Sequence, residues 1–399
     1  MKVSAAHWID IHVGWLICVF LHAWQKVRKI FRPAPASRIA EPKNILIVKF
    51  WGMGSVLLTI PALRLLKRLH PQVRITFVTL RQNKDICRLI GEIDVVEAID
   101  FSSGLLAFLS GTLRVLARLR KTYFDEAIDL EFFTKFSAIF TSFVRARVKI
   151  GFFERISWRG RLYDLEVPFN GYWHVTDNFI NAVTGKEKEP ASPVLAKLDL
   201  ANRRDKYKIE VILREKGVDR SREKIIVINP NAGELVLLRR WPKESFARLA
   251  GGLLQRTAAH LLFVGSFKEH AYVQAIIEEA RRISPGSRPR LFNLAGELSV
   301  DELAALLGAA NLFISNDSGP LHLACSLGVP TISFFGPETP VLYGPRGEGH
   351  KVFFKNLSCS PCINVYNNKR PVCRHSSNIC LSLIQVEEVL AEALKLLPE

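Results

Sequence analysis

From Asn44 onward, short runs of β-branched and aliphatic residues alternate with longer amphipathic stretches, and the alternation occurs in two successive series. That pattern leaves little choice of architecture. Short, almost wholly apolar strands separated by helical stretches build a doubly wound parallel sheet, covered by crossover helices on both faces. In the first series the expected strands are Ile45–Phe50, Ile75–Thr79, Val95–Ile99, Glu126–Leu130 and Lys149–Phe152, with helices at Val56–Leu69 and Leu105–Lys121. The second series follows the charged stretch Asn202–Lys224, with strands Ile225–Ile228, Leu261–Val264, Leu312–Ser315 and Thr331–Phe335. Its helices are expected at Lys243–Gln255, Glu269–Ile283, Val300–Leu307 and Pro320–Leu327. A last helix, Gln385–Leu397, is expected to pack back across the first domain.

A chain of 399 residues suits two such domains. The expected organisation is a membrane-associating helix and linker at 1–40, Rossmann-like domains at 41–205 and 206–355, and a cysteine-rich segment with the final helix at 356–399. Ligands of open α/β sheets bind outside the carboxyl ends of the strands. Two such domains facing a cleft therefore put the chemistry in their strand-to-helix loops.

The first residues obey a different rule. Trp8 to Trp24 reads WIDIHVGWLICVFLHAW and is followed by Lys26, Arg28, Lys29 and Arg32. A secretory signal places its charge before the apolar run. A spanning helix needs about 20 apolar residues, and this run is shorter and interrupted by Asp10, His12, Gly14 and His22. Trp8, Trp15 and Trp24 suit the headgroup region, and the basic flank suits anionic lipid. The expectation is a monotopic helix on the inner face of the cytoplasmic membrane, with a short span or a helix docked on the protein itself as alternatives. Cys18, Cys87 and Cys325 lie singly in apolar stretches and read as buried thiols, consistent with a cytoplasmic body.

The formal net charge of +17 calls for anionic partners. Nucleic acid would require a basic stripe with stacking aromatics or a known binding motif, and neither occurs. Phosphate-bearing substrates beside an anionic membrane account for the charge.

Three loops carry the chemistry. The first, Lys49-Phe-Trp-Gly-Met-Gly-Ser55, has Gly52 and Gly54 to turn the backbone and a helix N-terminus to meet an anion. Leu57 stands where a dinucleotide fingerprint needs its third glycine, and Arg74 and Thr76 lie where its acidic residue belongs, which disfavours a nicotinamide enzyme. The second, Asn229-Pro-Asn231-Ala-Gly233, precedes Arg239-Arg240-Trp241-Pro242, two guanidiniums suited to a diphosphate and a proline in the first helical turn. The third, Ser315-Asn-Asp-Ser-Gly-Pro-Leu-His322, runs from a strand into a helix. Ser318, with the amides at Gly319, would bind phosphate there, Asp317 would cap the helix or organise the loop, and His322 would share the face of Ser318.

Together these loops resemble glycosyltransferase family 9, the heptosyltransferases of lipopolysaccharide core synthesis. The similarity runs through Ile45-Leu-Ile-Val-Lys-Phe, Met53-Gly-Ser, Pro61-Ala-Leu, Asn229-Pro, Arg240-Trp-Pro, Leu294-Ala-Gly, Glu302-Leu, Asn316-Asp-Ser-Gly-Pro-Leu-His and Phe335-Gly-Pro. It implies a GT-B fold, an ADP-sugar donor held by the second domain, a membrane glycolipid acceptor met by the first, and inverting transfer without a metal. The resemblance puts Asp317, Ser318, Gly319 and His322 in the turn that binds donor diphosphate and sugar, with Asn231 in the neighbouring loop. Arg239 stands where the family commonly has a lysine, and Glu269 is the candidate for the ribose hydroxyls. The family usually carries an aspartate as general base where this chain has Ser55, and a serine hydroxyl is no base near neutral pH unless another group deprotonates it. Glu234 is then the nearest substitute. A catalytically silent binding protein and a nucleotide-sugar epimerase stay open as alternatives.

Cys359, Cys362, Cys373 and Cys380 crowd one basic segment as C-x2-C-x10-C-x6-C. Structural zinc, free or reversibly oxidised thiols and an iron–sulfur cluster are all compatible with that spacing. Catalysis itself calls for no cofactor.

Overall fold

The computed structural model describes residues 3–31, 37–101, 103–154, 158–185, 198, 203–220, 222–233, 237–363, 373–375 and 377–397. The chain forms two compact units, Met1–Ser192 with Val365–Asn368, and Pro193–Asn364 with Lys369–Glu399. The N-terminal helix belongs to the first unit and the C-terminal helix to the second.

The first unit contains α1 (Val3–Phe31), β1 (Asn44–Val48), α2 (Met53–Leu57), α3 (Ile60–Leu69), β2 (Arg74–Leu80), α4 (Lys84–Arg88), β3 (Val95–Ile99), α5 (Leu105–Leu119), β4 (Phe124–Asp129), α6 (Lys135–Phe143), β5 (Ala146–Phe153), β6 (Leu165–Pro168) and α7 (Val175–Thr184). Its six strands are ordered β3-β2-β1-β4-β5-β6. Ile45 of β1 pairs with Ile75 and with Glu126 in parallel register. The single helix expected over Val56–Leu69 is two. Pro61 sits in the first turn of α3 and has no amide to continue α2, so the chain turns at Leu58–Thr59.

Asp10 and Gly14, two of the residues that interrupt the apolar run of α1, are docking contacts. The Asp10 carboxylate accepts the amides of Lys135 (3.1 Å) and Phe136 (2.8 Å), satisfying the open N-terminus of α6. Gly14 lets α1 approach Lys135, where an added Cβ would lie 3.2 Å from that residue's own. Cys18 is buried with Ala138, Leu162 and Tyr163. Trp8, Trp15, Leu16, Phe20 and Trp24 are exposed, while Leu21 packs partly against the same cluster. Among the described residues no helix is long and apolar enough to cross a membrane. Burial pushes the thiols of Cys18, Cys87 and Cys325 up to about 12.

The second unit contains α8 (Arg203–Glu215), β7 (Ile225–Asn229), α9 (Lys243–Arg256), β8 (His260–Phe263), α10 (His270–Ile283), β9 (Leu291–Asn293), α11 (Val300–Ala309), β10 (Leu312–Asn316), α12 (Gly319–Ser326), β11 (Thr331–Phe335), α13 (Pro340–Tyr343), β12 (His350–Phe354), α14 (Ile379–Ser382) and α15 (Val386–Leu396). The parallel order β12-β11-β10-β7-β8-β9 repeats the first unit's topology. The final helix corrects the expectation that it packs on the first domain. Val386, Val389, Leu390 and Ala393 of α15 are buried in the second unit's core against α9. Gly252 of α9 makes room, since a Cβ there would lie 2.8 Å from Leu390.

Candidate active site

Strand order reverses between β7 and β10, and at such a switch point the flanking loops diverge and leave a crevice at the carboxyl edge. The loops following Asn229 and Asn316 both start there. Asn316 ties them together: its Oδ1 accepts the Trp241 amide (2.8 Å), and its Nδ2 donates to the carbonyls of Pro230 (2.9 Å) and Asn231 (3.3 Å). Trp241 anchors this crossing by stacking on Phe334, with ring centres 4.4 Å apart and no exposed surface. Asn229 Nδ2 donates to Ser318 Oγ (3.1 Å), which also lies 2.8 Å from Ser315 Oγ. The small polar residues of both loops thus form one network rather than solvated turns.

Arg239 reaches this edge with two ion pairs, to Asp317 (3.4 Å) and to Glu338 (3.6 Å). Burial works against its charge, but Asp317, Glu338 and Tyr343 outweigh burial and hold the guanidinium above its ordinary pKa. Asp317 is therefore an ion-pair partner, whereas the helix cap is Ser318, in extended conformation ahead of Gly319. Ser318 makes no side-chain cap bond, so it does not occupy the first amides of α12. His322, buried one turn along, is held below its ordinary pKa by burial first and by Arg239 next, against the opposing pull of Asp317. Its Nδ1 finds no hydrogen-bond partner among the described residues, nor does Arg239 Nε or Asn231 Oδ1.

The second guanidinium is occupied differently. Arg240 pairs with Glu269 (3.3 Å) and lies 4.3 Å from the centre of the Tyr272 ring. Glu269 Oε2 accepts from Ser266 N (2.9 Å) and Oγ (2.8 Å), a capping box that fixes the carboxylate ahead of α10. Gly265 leaves room for both side chains, because a Cβ there would lie 2.5 Å from Asn231 Nδ2 and 3.4 Å from Glu269 Oε2. Pro242 is the N-cap of α9 rather than part of its first turn.

So Asn231, Arg239, Glu269, Asp317 and Ser318, in the segments that follow strands of the second sheet, and Gly319 and His322, in the first turn of α12, all lie at one sheet edge. Glu338 was missed. It directly follows the Phe335-Gly-Pro run and is 1% exposed, and an acid buried beside a glycine-proline turn was the available signal.

On the first unit, Gly52 has φ 80° and turns the loop, whereas Gly54 is simply buried within α2, and Ser55 is half-buried in the same turn. The organiser of this loop was also missed. Glu131 Oε1 accepts from Lys49 Nζ (2.7 Å), Phe50 N (2.8 Å) and Trp51 N (2.8 Å). Glu234 lies outside the described residues.

The four clustered cysteines are all free thiols. Cys380 is buried on α14 in the second unit's core, which pushes its thiol up to about 11. Cys373 Sγ donates to Ser377 O at 3.7 Å. Among the described residues, no group of three or more His, Cys, Asp or Glu side chains is placed to hold a metal ion, which leaves the zinc expectation without structural support.

The sequence profile of glycosyltransferase family 9 (heptosyltransferase) matches residues 112–372. The lipopolysaccharide core heptosyltransferase OpsX of Haemophilus influenzae is 24% identical over 370 residues, covering 89% of this chain and 97% of its own. Lipopolysaccharide heptosyltransferase 3 of Escherichia coli is 25% identical, covering 87% and 96% respectively. Among solved structures, the E. coli ADP-heptose lps heptosyltransferase II superposes with a TM-score of 0.70 at 20% identity, over 89% of this chain and 98% of its own.

Proposed function

Because the chain belongs to glycosyltransferase family 9, we propose that this glycosyltransferase moves a heptose or related sugar from an ADP-sugar onto lipopolysaccharide core or a similar membrane glycolipid. The relatives named above are called lipopolysaccharide heptosyltransferases, and one carries ADP-heptose in its name. The observation that carries the reading is the cluster of unspent polar atoms at the β7–β10 edge: Arg239 Nε, His322 Nδ1 and Asn231 Oδ1, beside the uncapped start of α12.

In this reading the donor diphosphate lies against the Ser318–Gly319 amides and Arg239. As the bond to the anomeric carbon breaks, negative charge collects on the diphosphate, and the guanidinium and helix dipole stabilise it without a metal. Neutral His322 and Asp317 meet sugar hydroxyls, and Glu269 takes the ribose. The acceptor is read onto the Gly52–Ser55 loop of the first unit and attacks from the side opposite the leaving group, inverting the anomeric centre. Incubation with ADP-heptose and a heptose-deficient lipopolysaccharide in excess EDTA tests this. Transfer with inverted anomeric configuration is expected, and dependence on added magnesium would overturn the metal-free reading.

We further propose that α1 holds the protein monotopically on the inner face of the cytoplasmic membrane. Its exposed tryptophans and following Lys26, Arg28 and Lys29 support this.

A further inference from the structure

The first unit carries a second exposed apolar surface, on α5. This helix buries Phe108, Thr112, Val115 and Leu119. Its other side presents Leu105, Leu106, Leu109 and Leu113, exposed by 43, 83, 48 and 67%. Four leucines on one helical face are more apolar surface than a solvated helix normally shows.

The position of α5 bears on what covers it. Phe108 and Phe140 share one core cluster with Val48 and Val78, so α5 and α6 lie on the same face of the sheet. Phe136 of α6 meets Phe108 with ring centres 4.8 Å apart, while Ala138, on the opposite flank of α6, is buried with Cys18 of α1. The helix α6 therefore has α5 on one side and α1 on the other, and its own Phe143 is 45% exposed. The charges point the same way. No acidic residue occurs in α5, and its second half and the residues just beyond carry Arg114, Arg120 and Lys121, with Arg118 engaged by Glu97. A leucine face beside arginines and lysines complements an anionic bilayer, whose headgroups receive the cations while the leucines enter the acyl boundary.

The buried side of α5 adjoins the first loop. Phe101, at the root of α5, packs edge-on against Trp51 at 5.1 Å and against Phe108 at 5.5 Å.

We propose that α5 is a second membrane-contacting element, which enters the bilayer surface beside α1 and holds the Gly52–Ser55 loop at the level of the lipid headgroups. The proposal rests on the membrane reading of α1 given above. Two contacts fix the orientation of a unit on a plane, whereas α1 alone leaves it free to roll about the helix axis.

The test is sedimentation of the full chain with vesicles of phosphatidylethanolamine and phosphatidylglycerol, with amide exchange measured on the bound protein. Leu106→Glu/Leu113→Glu is expected to weaken partitioning by about tenfold or more, and residues 105–113 are expected to exchange more slowly on vesicles. Both leucines are exposed, so the melting temperature should hold. If that variant partitions like the unchanged protein while Trp15→Glu/Phe20→Glu releases it, the α5 proposal fails and the α1 reading stands. If the unchanged protein ignores the vesicles, both fall. A lipid-free dimer abolished by Leu106→Glu/Leu113→Glu would make the patch a contact between copies and overturn the proposal.

Discussion

Lys49 and Glu131 form an ion pair of 2.7 Å whose side chains are 1% and 0% exposed, at the root of the loop that leads to Ser55. One carboxylate oxygen also holds two successive loop amides, so the pair sets the path of the chain as it leaves β1.

Glu131→Gln keeps an acceptor for those amides but strands a buried ammonium. Breaking one partner of a buried pair costs about 3–5 kcal/mol, and the same change frees the loop. Denaturant unfolding should show a loss of that order near neutral pH, with acceptor KM raised in whatever protein remains folded. An unchanged midpoint would mean that water reaches Lys49.

Arg239→Ala leaves Asp317 and Glu338 without their shared cation and, in the proposed mechanism, removes a donor from the leaving diphosphate. Loss of one such donor lowers kcat by about 10²–10³-fold. Arg239→Lys, which keeps the charge but not the fork, should fall between. Steady-state transfer from ADP-heptose measures both, and full activity in the alanine variant would remove Arg239 from the mechanism.

Gly265→Ala drives a Cβ to 2.5 Å from Asn231 Nδ2, an amide already held by Asn229 Oδ1 and the Val264 carbonyl. The asparagine must shift, and with it the hydrogen bonds that tie its loop to Asn229 and Val264. The expected cost is about 1–3 kcal/mol of stability and a rise in donor KM of about 10- to 100-fold, read by thermal melts and initial rates.

Both sheets were legible because their central strands are continuous β-branched runs, such as Ile225–Asn229, buried at every position. The edges were not. His350–Phe354 is only half-buried and Leu291–Asn293 spans three residues, so neither gives a run or an alternation to detect. The helix Arg203–Glu215 reads as a charged linker because burial of Ile209 and Leu213 is nearly all that distinguishes it. The loops after β7 and β10 showed themselves through glycine, proline and asparagine, residues that mark turns locally. Glu131 and Glu338 stayed hidden because each draws its meaning from a cation about a hundred residues or fewer away in sequence, Lys49 and Arg239, which only the folded sheet brings near.

His322 ties stability to pH. Its folded-state pKa lies below the ordinary 6.5, so between the two values the unfolded chain binds the proton more readily than the native protein. Stability contributed by the neutral ring is complete above about pH 6.5 and is lost as pH falls toward the folded value. Melts at pH 7.5, 6.5 and 5.5 should show a decline that His322→Gln reduces. An equal decline in the variant would assign the effect to other groups.

Ser55 decides between an enzyme that lacks its base and one that works without it. A hydroxyl cannot accept the acceptor's proton near neutral pH, whereas a carboxylate can. Ser55 is half-buried in the turn set by Gly52, on the loop whose root Lys49 and Glu131 hold, so a carboxylate there keeps contact with solvent. If this loop receives the acceptor, Ser55→Asp should raise kcat by up to about 10²–10⁴-fold, the usual contribution of a positioned base, with donor affinity unchanged. A raised donor affinity instead would put the loop on the donor side. Tight donor binding by both forms, with no product from either, would make the chain a nucleotide-sugar binding protein on a transferase fold.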